Sequence, residues 1–146
     1  MMKKSYALWM VILLGIASSA LGAEGWLTDF EKAKKMAAEK NLPILAEFAG
    51  LDWCPPCIAL GENVFSTEVF KKYAKENVVL FLADFPRTKP QGPVLVKQNE
   101  KLSEQYGVQT LPTVLLLKAD GTIIDRTGYR RGGAEAYIKH IKELLK

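Results

Sequence analysis

The sequence predicts an α/β fold in which helices cover a buried sheet. Two short runs, 44–49 and 78–83, are almost entirely apolar, as expected of strands that are buried on both faces. Segments in which apolar residues recur at helical spacing surround these runs, and one of them closes the chain. The 146 residues suit one domain, and an apolar fraction of 49% is enough for a single core.

Residues 1–23 are predicted to be a signal peptide rather than part of the fold. Lys3 and Lys4 precede an uncharged, largely apolar run that ends in small residues at Ala23, the pattern of a cleavable export signal. An uncleaved membrane anchor is the alternative, because the run approaches the roughly 18 residues that span a bilayer. In both cases we expect residues 24–146 to form the domain, and to be periplasmic, secreted or held at the membrane.

The first half of the domain is predicted to alternate helices and strands. The elements are a helix over Trp26–Lys40, a strand over Ile44–Ala49, a helix from Cys54, a helix over Glu68–Lys75 and a strand over Val78–Ala83. Thr28 or Asp29 can cap the first helix. Gly61 can bend the second helix, and Ser66-Thr67 can cap the third, which we expect to carry Val69, Phe70 and Tyr73 inward.

The second half is predicted to form a loop, a helix, a β-hairpin and a last helix. The elements are a loop over Phe85–Pro93, a helix over Val94–Tyr106, strands over Thr113–Lys118 and Thr122–Arg126, and a helix after Gly132-Gly133. Three prolines and a glycine exclude regular structure from the loop. Gly107 suits the left-handed position after a helix, and Asp120-Gly121 turns one strand into the next.

The only two cysteines, Cys54 and Cys57, flank Pro55-Pro56 at the predicted start of a helix. Thiols at this spacing can close a disulfide and open it again by exchange, whereas a passive staple is the alternative. The positive end of a helix favours a thiolate, so we predict that Cys54 attacks and Cys57 resolves. Zinc needs about four ligands and only His140 could join the pair, so we expect no metal and no cofactor.

The charge pattern gives no support for nucleic-acid binding. The formal net charge of +4 includes Lys3 and Lys4 of the predicted signal peptide. Elsewhere both signs are mixed, as in Glu31-Lys32-Ala33-Lys34-Lys35, which is typical of a solvated helix face. We therefore expect no nucleic-acid partner.

Two motifs in this order of elements resemble the thioredoxin superfamily over about residues 26–146. They are Trp53-Cys54-Pro55-Pro56-Cys57 after the first buried strand and Leu111-Pro112-Thr113 before the hairpin. The chain is similar to exported bacterial thioredoxin-like proteins and to the C-terminal domain of the transmembrane disulfide reductase. The resemblance implies a thioredoxin fold with a central mixed sheet of four to five strands flanked by helices.

The resemblance also gives Glu47 a role in proton transfer. In the family, a buried acid at this strand position accepts the proton when the second cysteine attacks. Glu47 lies seven residues before Cys54, where six is usual, and Leu82 stands where the basic partner is expected. The alternative is an acid at the strand end that reaches solvent.

Further residues are expected to meet the substrate. The resemblance implies a cis peptide bond between Leu111 and Pro112, with Pro112 facing the sulfurs and the backbone of Leu111 free to pair with a substrate strand. A trans turn proline is the alternative. Thr110 and Trp53 are assigned to the same surface, and Asp52 is either a charged rim residue or a loop cap.

Together these features predict an exported thiol–disulfide oxidoreductase that acts on protein cysteines, with the reductive direction favoured. We expect a monomer that works with a membrane-embedded electron donor or acceptor. The rival hypothesis is a peptide-binding module without redox turnover. The Phe85–Pro93 loop is either a device that presents Arg87 and Lys89 to an acidic partner or a solvent loop without a role.

Overall fold

The computed structural model describes residues 25–146, so the predicted signal peptide lies outside the described residues. The elements in chain order are β1 (Trp26–Leu27), α1 (Phe30–Lys40), β2 (Ile44–Ala49), α2 (Pro55–Leu60), a π-helical turn (Gly61–Phe65), α3 (Glu68–Asn77), β3 (Val79–Asp84), α4 (Pro93–Gln105), β4 (Thr113–Leu117), β5 (Ile123–Gly128) and α5 (Gly133–Leu144). The α/β class and the order of the predicted helices and strands are confirmed, with one strand added.

The strands form one mixed sheet in the order β1-β3-β2-β4-β5. Strands β1 and β2 run parallel to β3, whereas β4 is antiparallel to β2 and β5 is antiparallel to β4. All six residues of β2 are buried, because it occupies the centre of the sheet with helices on both faces. The carboxyl end of this central strand leads directly into the cysteine motif.

Trp26 is not the start of a helix, so this part of the sequence prediction is wrong. It belongs to β1 at the edge of the sheet, where it pairs with Leu80. The helix begins after Asp29, whose carboxylate accepts a hydrogen bond from the backbone N–H of Lys32 at 3.1 Å. This cap fixes the helix start, and Trp26 is buried instead against Phe65, with ring centroids 5.1 Å apart.

Each face of the sheet carries its own apolar core. One core lies under α2, the π-helical turn, α3 and α5, and contains Leu45 and Ala49. The other lies under α1 and α4 and contains Ile44, Ala46 and Phe48. Because side chains alternate along a strand, Glu47 projects to the same face as Leu45 and Ala49, which is the face that α2 covers.

The helix that follows the cysteines changes its geometry at Gly61. The backbone N–H of Ser66 donates to the carbonyl of Gly61 at 2.8 Å. A hydrogen bond between residues five positions apart is typical of a π-helix. Thr67 then caps α3 by accepting from the N–H of Phe70 at 3.2 Å. The inward position predicted for Val69 is wrong: its side chain is 48% exposed, because the helix start at Glu68 turns Phe70 towards the core.

Candidate active site

Cys54 and Cys57 form a disulfide at the start of α2, with their Cα atoms 5.3 Å apart. Cys54 occupies the N-cap position, and Pro55 and Pro56 fill the first two helical positions. Proline is accommodated there because these positions lack intrahelical partners for an N–H group. Cys57 is fully buried and Cys54 is 4% exposed, so Cys54 is the outer of the two sulfur-bearing residues.

The turn between β2 and α2 fixes both cysteines through the backbone of Gly50. Its carbonyl accepts from the N–H of Cys54 at 2.8 Å, and its own N–H points to the sulfur of Cys57 at 3.5 Å. A side chain at Gly50 would overlap the indole of Trp53, so this position requires glycine. The same turn therefore positions both the disulfide and Trp53.

The peptide bond between Leu111 and Pro112 is cis, the geometry that the resemblance implied. The carbonyl oxygen of Leu111 lies 3.7 Å from the sulfur of Cys54, while Pro112 is buried and Leu111 is half-buried. Thr110 is exposed next to this pair, and its carbonyl accepts from the hydroxyl of Thr113 at 2.7 Å. The backbone of the half-buried Leu111 thus lies directly beside the disulfide.

Trp53 is held from two sides and is only half exposed at the rim of the site. Its indole Nε1–H donates to the carbonyl of Phe85 at 2.7 Å. The guanidinium carbon of Arg87 lies 3.4 Å from the ring centroid, so a cation covers one face of the ring. Trp53 thus links the cysteine motif to the segment that follows β3 and begins at Phe85.

Asp52 is a loop cap, which decides between the two possibilities that the sequence left open. Its carboxylate accepts from the N–H of Arg87 at 3.1 Å, and from the N–H and the hydroxyl of Thr88 at 2.8 and 2.6 Å. The Thr88 hydroxyl, together with these backbone donors, lowers the pKa of Asp52 to about 2. The sequence alone did not predict this link. The one available sign was an acidic residue in the turn between Gly50 and Trp53, since such a side chain can accept hydrogen bonds from a loop.

Glu47 lies in the middle of β2 with 3% exposure, so the alternative of a solvated strand-end acid is excluded. It pairs in register with Leu82 on β3 and Val114 on β4, so neither neighbouring strand offers a base at that position. Its Oε1 has no hydrogen-bond partner among the described residues. Burial, with a smaller contribution from Asp84, raises the pKa of Glu47 to about 8.

A cavity of about 270 Å³ borders Glu47 on the α2 face of the sheet. Its lining consists of Trp26, Glu47, Leu51, Gly61, Phe65, Ser66, Lys71 and Leu82. This volume can hold several water molecules of about 30 Å³ each. The cavity therefore offers the buried carboxyl group a path for proton exchange.

Two further properties of residues 25–146 bear on function. No group of three or more His, Cys, Asp and Glu side chains in this part of the chain is arranged to hold a metal ion. None of its helices combines the length and the apolarity that crossing a membrane requires.

Comparison with known proteins identifies relatives that cover most of the chain. A family model described as a thioredoxin-like domain matches residues 30–144. The disulfide bond reductase DsbH of Chlamydia pneumoniae is 30% identical over 131 residues, which cover 90% of this chain and 76% of that protein. The thiol-disulfide oxidoreductase ResA of Bacillus cereus is 27% identical over 173 residues, covering 96% of this chain and 99% of ResA.

A solved structure of a DsbH oxidoreductase has the same architecture. It superposes with a TM-score of 0.74 at 29% sequence identity, covering 77% of this chain and 78% of that one. The mixed five-stranded sheet with its flanking helices is therefore a thioredoxin fold, as the two sequence motifs predicted.

The raised pKa of Glu47 predicts that stability falls as the pH increases. Between pH 4.5 and about 8, the folded protein holds a proton on Glu47 that the unfolded chain has released. Unfolding then becomes easier by up to about 1.4 kcal/mol per pH unit, and the slope ends above the folded pKa. Glu47→Gln removes the titration, so denaturation with the disulfide intact should show a flatter pH profile and higher stability near pH 8.

Glu62→Gln is the matched control for this measurement, because Glu62 is exposed on the π-helical turn. It should keep the wild-type dependence on pH. A wild-type profile in Glu47→Gln would mean that Glu47 is ionised in the folded protein, and would contradict its raised pKa.

Gly50→Ala should weaken both the fold and the rim of the site. The added methyl group overlaps the indole of Trp53, so the ring must leave its place under Arg87. Overpacking of this kind typically costs about 1–3 kcal/mol. Gly61→Ala is the control, since nothing lies within 4 Å of the new methyl group and its backbone is helical. Equal melting temperatures for the two variants would contradict the tight packing around Gly50.

Proposed function

This chain belongs to the thioredoxin-like domain family, and we propose that it exchanges its Cys54–Cys57 disulfide with cysteines of exported proteins. Its enzyme class is thiol–disulfide oxidoreductase, the class named for its relatives. The observation that carries the proposal is the disulfide itself, in which the sulfur of Cys54 lies 3.7 Å from the carbonyl oxygen of Leu111 in the cis-proline segment. Export is inferred from the signal-like pattern of residues 1–23.

The reaction begins with the reduced enzyme. The thiolate of Cys54 attacks a substrate disulfide, so that a mixed disulfide forms and one substrate thiolate leaves. The thiolate of Cys57 then attacks the sulfur of Cys54 and releases the second substrate thiolate. Two electrons have passed to the substrate, and the Cys54–Cys57 disulfide must be reduced by an external dithiol before the next turn. We expect a membrane-embedded donor for this step.

Glu47 serves the second attack as a proton acceptor. Cys57 is fully buried and reacts only as a thiolate, so its proton needs a nearby destination. A carboxyl group whose pKa is about 8 can take up and return a proton near neutral pH. The cavity beside Glu47 has room for water molecules that can take part in this exchange.

The cis-proline segment provides the docking edge. The half-buried Leu111 and the exposed Thr110 present backbone groups beside Cys54, where an extended substrate segment can add as a strand. Backbone pairing is independent of side-chain identity, so this edge suits a range of polypeptides. Pro112 itself is buried and keeps the edge in place.

Two features of the site favour the reducing direction. The side chain of an N-cap residue is normally stabilised by the N–H groups at the second and third helical positions. The second position here is Pro56, which has no N–H group, so the N–H of Cys57 is the remaining donor for a thiolate at Cys54. The carbonyl of Leu111 also faces this sulfur. A less stabilised thiolate makes the reduced couple a stronger electron donor.

The proposal is tested by the reduction of insulin with dithiothreitol as the electron source. The wild-type protein should accelerate precipitation, and Cys54→Ser should abolish this activity because the attacking sulfur is lost. Cys57→Ser should instead trap mixed disulfides with protein partners, which non-reducing gels and mass spectrometry can identify. If the wild-type protein leaves insulin reduction at the uncatalysed rate, the chain is a peptide-binding module rather than a redox enzyme.

Pro56→Ala tests the origin of the reducing direction. The variant restores an N–H group at the second helical position, which should stabilise the Cys54 thiolate and raise the reduction potential. A shift on the order of 30 mV corresponds to about 1.4 kcal/mol. Equilibration with glutathione measures it, and Pro55→Ala is the control, because the first helical position does not serve the cap side chain. A larger shift in Pro55→Ala would contradict this explanation.

A further inference from the structure

We propose that the surface around the disulfide selects protein segments that carry acidic residues next to the target cysteine. This inference rests on the proposed function and names the class of substrate. It is carried by Arg87, which lies beside the cysteine motif, and by exposed arginines that follow β5, on backbone that the fold holds in place. The 85–92 segment, which contains Arg87, is named here the basic loop.

The basic loop is built into the active site rather than attached beside it. Its start is fixed by the hydrogen bond from the N–H of Phe85 to the carbonyl of Ala49 at 2.8 Å, at the end of the central strand. Asp52 binds the N–H groups of Arg87 and Thr88, 35 and 36 residues further along the chain. The loop therefore keeps one position relative to the cysteines, so a side chain on it can contact a docked substrate at a defined place.

The base of the basic loop is closed by two amides. Gln91 and Asn99 each donate to the carbonyl of Asp84 at 3.1 Å. Asn99 is 2% exposed, so this anchor belongs to the interior of the protein. The three prolines in 85–93 restrict the remaining backbone. Such a segment loses little conformational entropy when a partner binds.

Arg87 presents the charge of this loop to the docking surface. It is exposed, its guanidinium group lies over Trp53, and Trp53 directly precedes Cys54. Within residues 25–146 no carboxylate forms an ion pair with Arg87, whereas Lys89 lies 3.8 Å from Asp84. The donors of this guanidinium group are therefore available to a carboxylate on the substrate.

Two acids lie near Arg87, but they do not remove its preference for acidic substrates, because both carboxylates already bind groups of the protein. The Asp52 carboxylate accepts the N–H groups and the hydroxyl of the loop backbone and Thr88. The Asp84 carboxylate accepts from the N–H of Leu51 at 3.0 Å and lies near Lys89. Their lone pairs are occupied by groups of the protein, whereas no carboxylate in the described part of the chain forms an ion pair with the guanidinium group of Arg87.

The other basic residues are the exposed arginines that follow β5. Gly128, the last residue of β5, pairs with Thr113, the residue after Pro112, so the chain that follows leaves the sheet at the end where the disulfide lies. Arg130 and Arg131 come next and are exposed. The hydroxyl of Tyr137 donates to the carbonyl of Gly128 at 3.0 Å and fixes this exit. These exposed arginines add positive charge at this end of the sheet.

The test compares two disulfide-bonded peptides that differ only in the residues beside their cysteines, glutamate in one and lysine in the other. The reduced protein is mixed with each, and second-order rate constants are measured at low and at high salt. We expect the acidic peptide to react about tenfold faster at low salt, with a smaller ratio at high salt, because complementary charges mainly raise the association rate.

Arg87→Glu should lower the ratio of the acidic to the basic peptide rate at least threefold, and Lys35→Glu should leave it unchanged. Lys35 is exposed on α1, so the control makes the same change in net charge away from the site. The ratio cancels any loss of folded protein, because both peptides meet the same sample. Arg87→Gln gives an intermediate value if charge is the cause.

Equal rates for the two peptides with the wild-type protein would overturn the inference and leave the proposed function intact, since both peptides would still be reduced. An unchanged ratio in Arg87→Glu, or an equal loss in Lys35→Glu, would overturn the assignment to Arg87. If neither peptide nor insulin is reduced, the proposed function fails, and the inference that rests on it fails as well.

Discussion

The turn that follows the central strand holds the whole active site together. Its backbone at Gly50 binds the N–H of Cys54 and contacts the sulfur of Cys57, and it leaves room for the indole of Trp53. Asp52 in the same turn fixes a segment more than 30 residues away. Because β2 is buried on both faces, the turn starts from a fixed point in the fold. This turn then fixes the positions of the disulfide, of Trp53 and of the basic loop.

The same strand carries a buried acid that is unfavourable for the fold. Glu47 is 3% exposed, and one of its oxygens has no partner among the described residues, so its charged form is strongly destabilised. Packing does not require an acid there, since Leu45 and Ala49 fill the same face with apolar groups. A group that weakens the fold in this way, beside a cavity and on the sheet face that carries Cys57, supports the proposed role of Glu47 in proton transfer.

The parts of the site divide the work between chemistry and recognition. In the proposed function, chemistry depends on the two cysteines, on Glu47 and on the missing N–H group of Pro56. Recognition in that proposal begins with the backbone at Leu111, beside the sulfur of Cys54, and the charge of Arg87 then restricts the choice of substrate. Separating the two tasks in this way allows a common reaction to be combined with a particular class of partner.

The sequence by itself determined the elements and the reactive pair. Apolar runs identified β2 and β3, and helical spacing identified α5, because each of these signals is contained in a short stretch of sequence. The two cysteines and Leu111-Pro112-Thr113 are likewise two short motifs, and together they identified the family. Only the tertiary structure placed Trp26 in the sheet, made Asp52 the cap of a distant loop and set Arg87 over Trp53. These contacts join residues about 35 to 55 positions apart. They depend on how the packed elements bring the chain back on itself, a relation that local spacing does not contain.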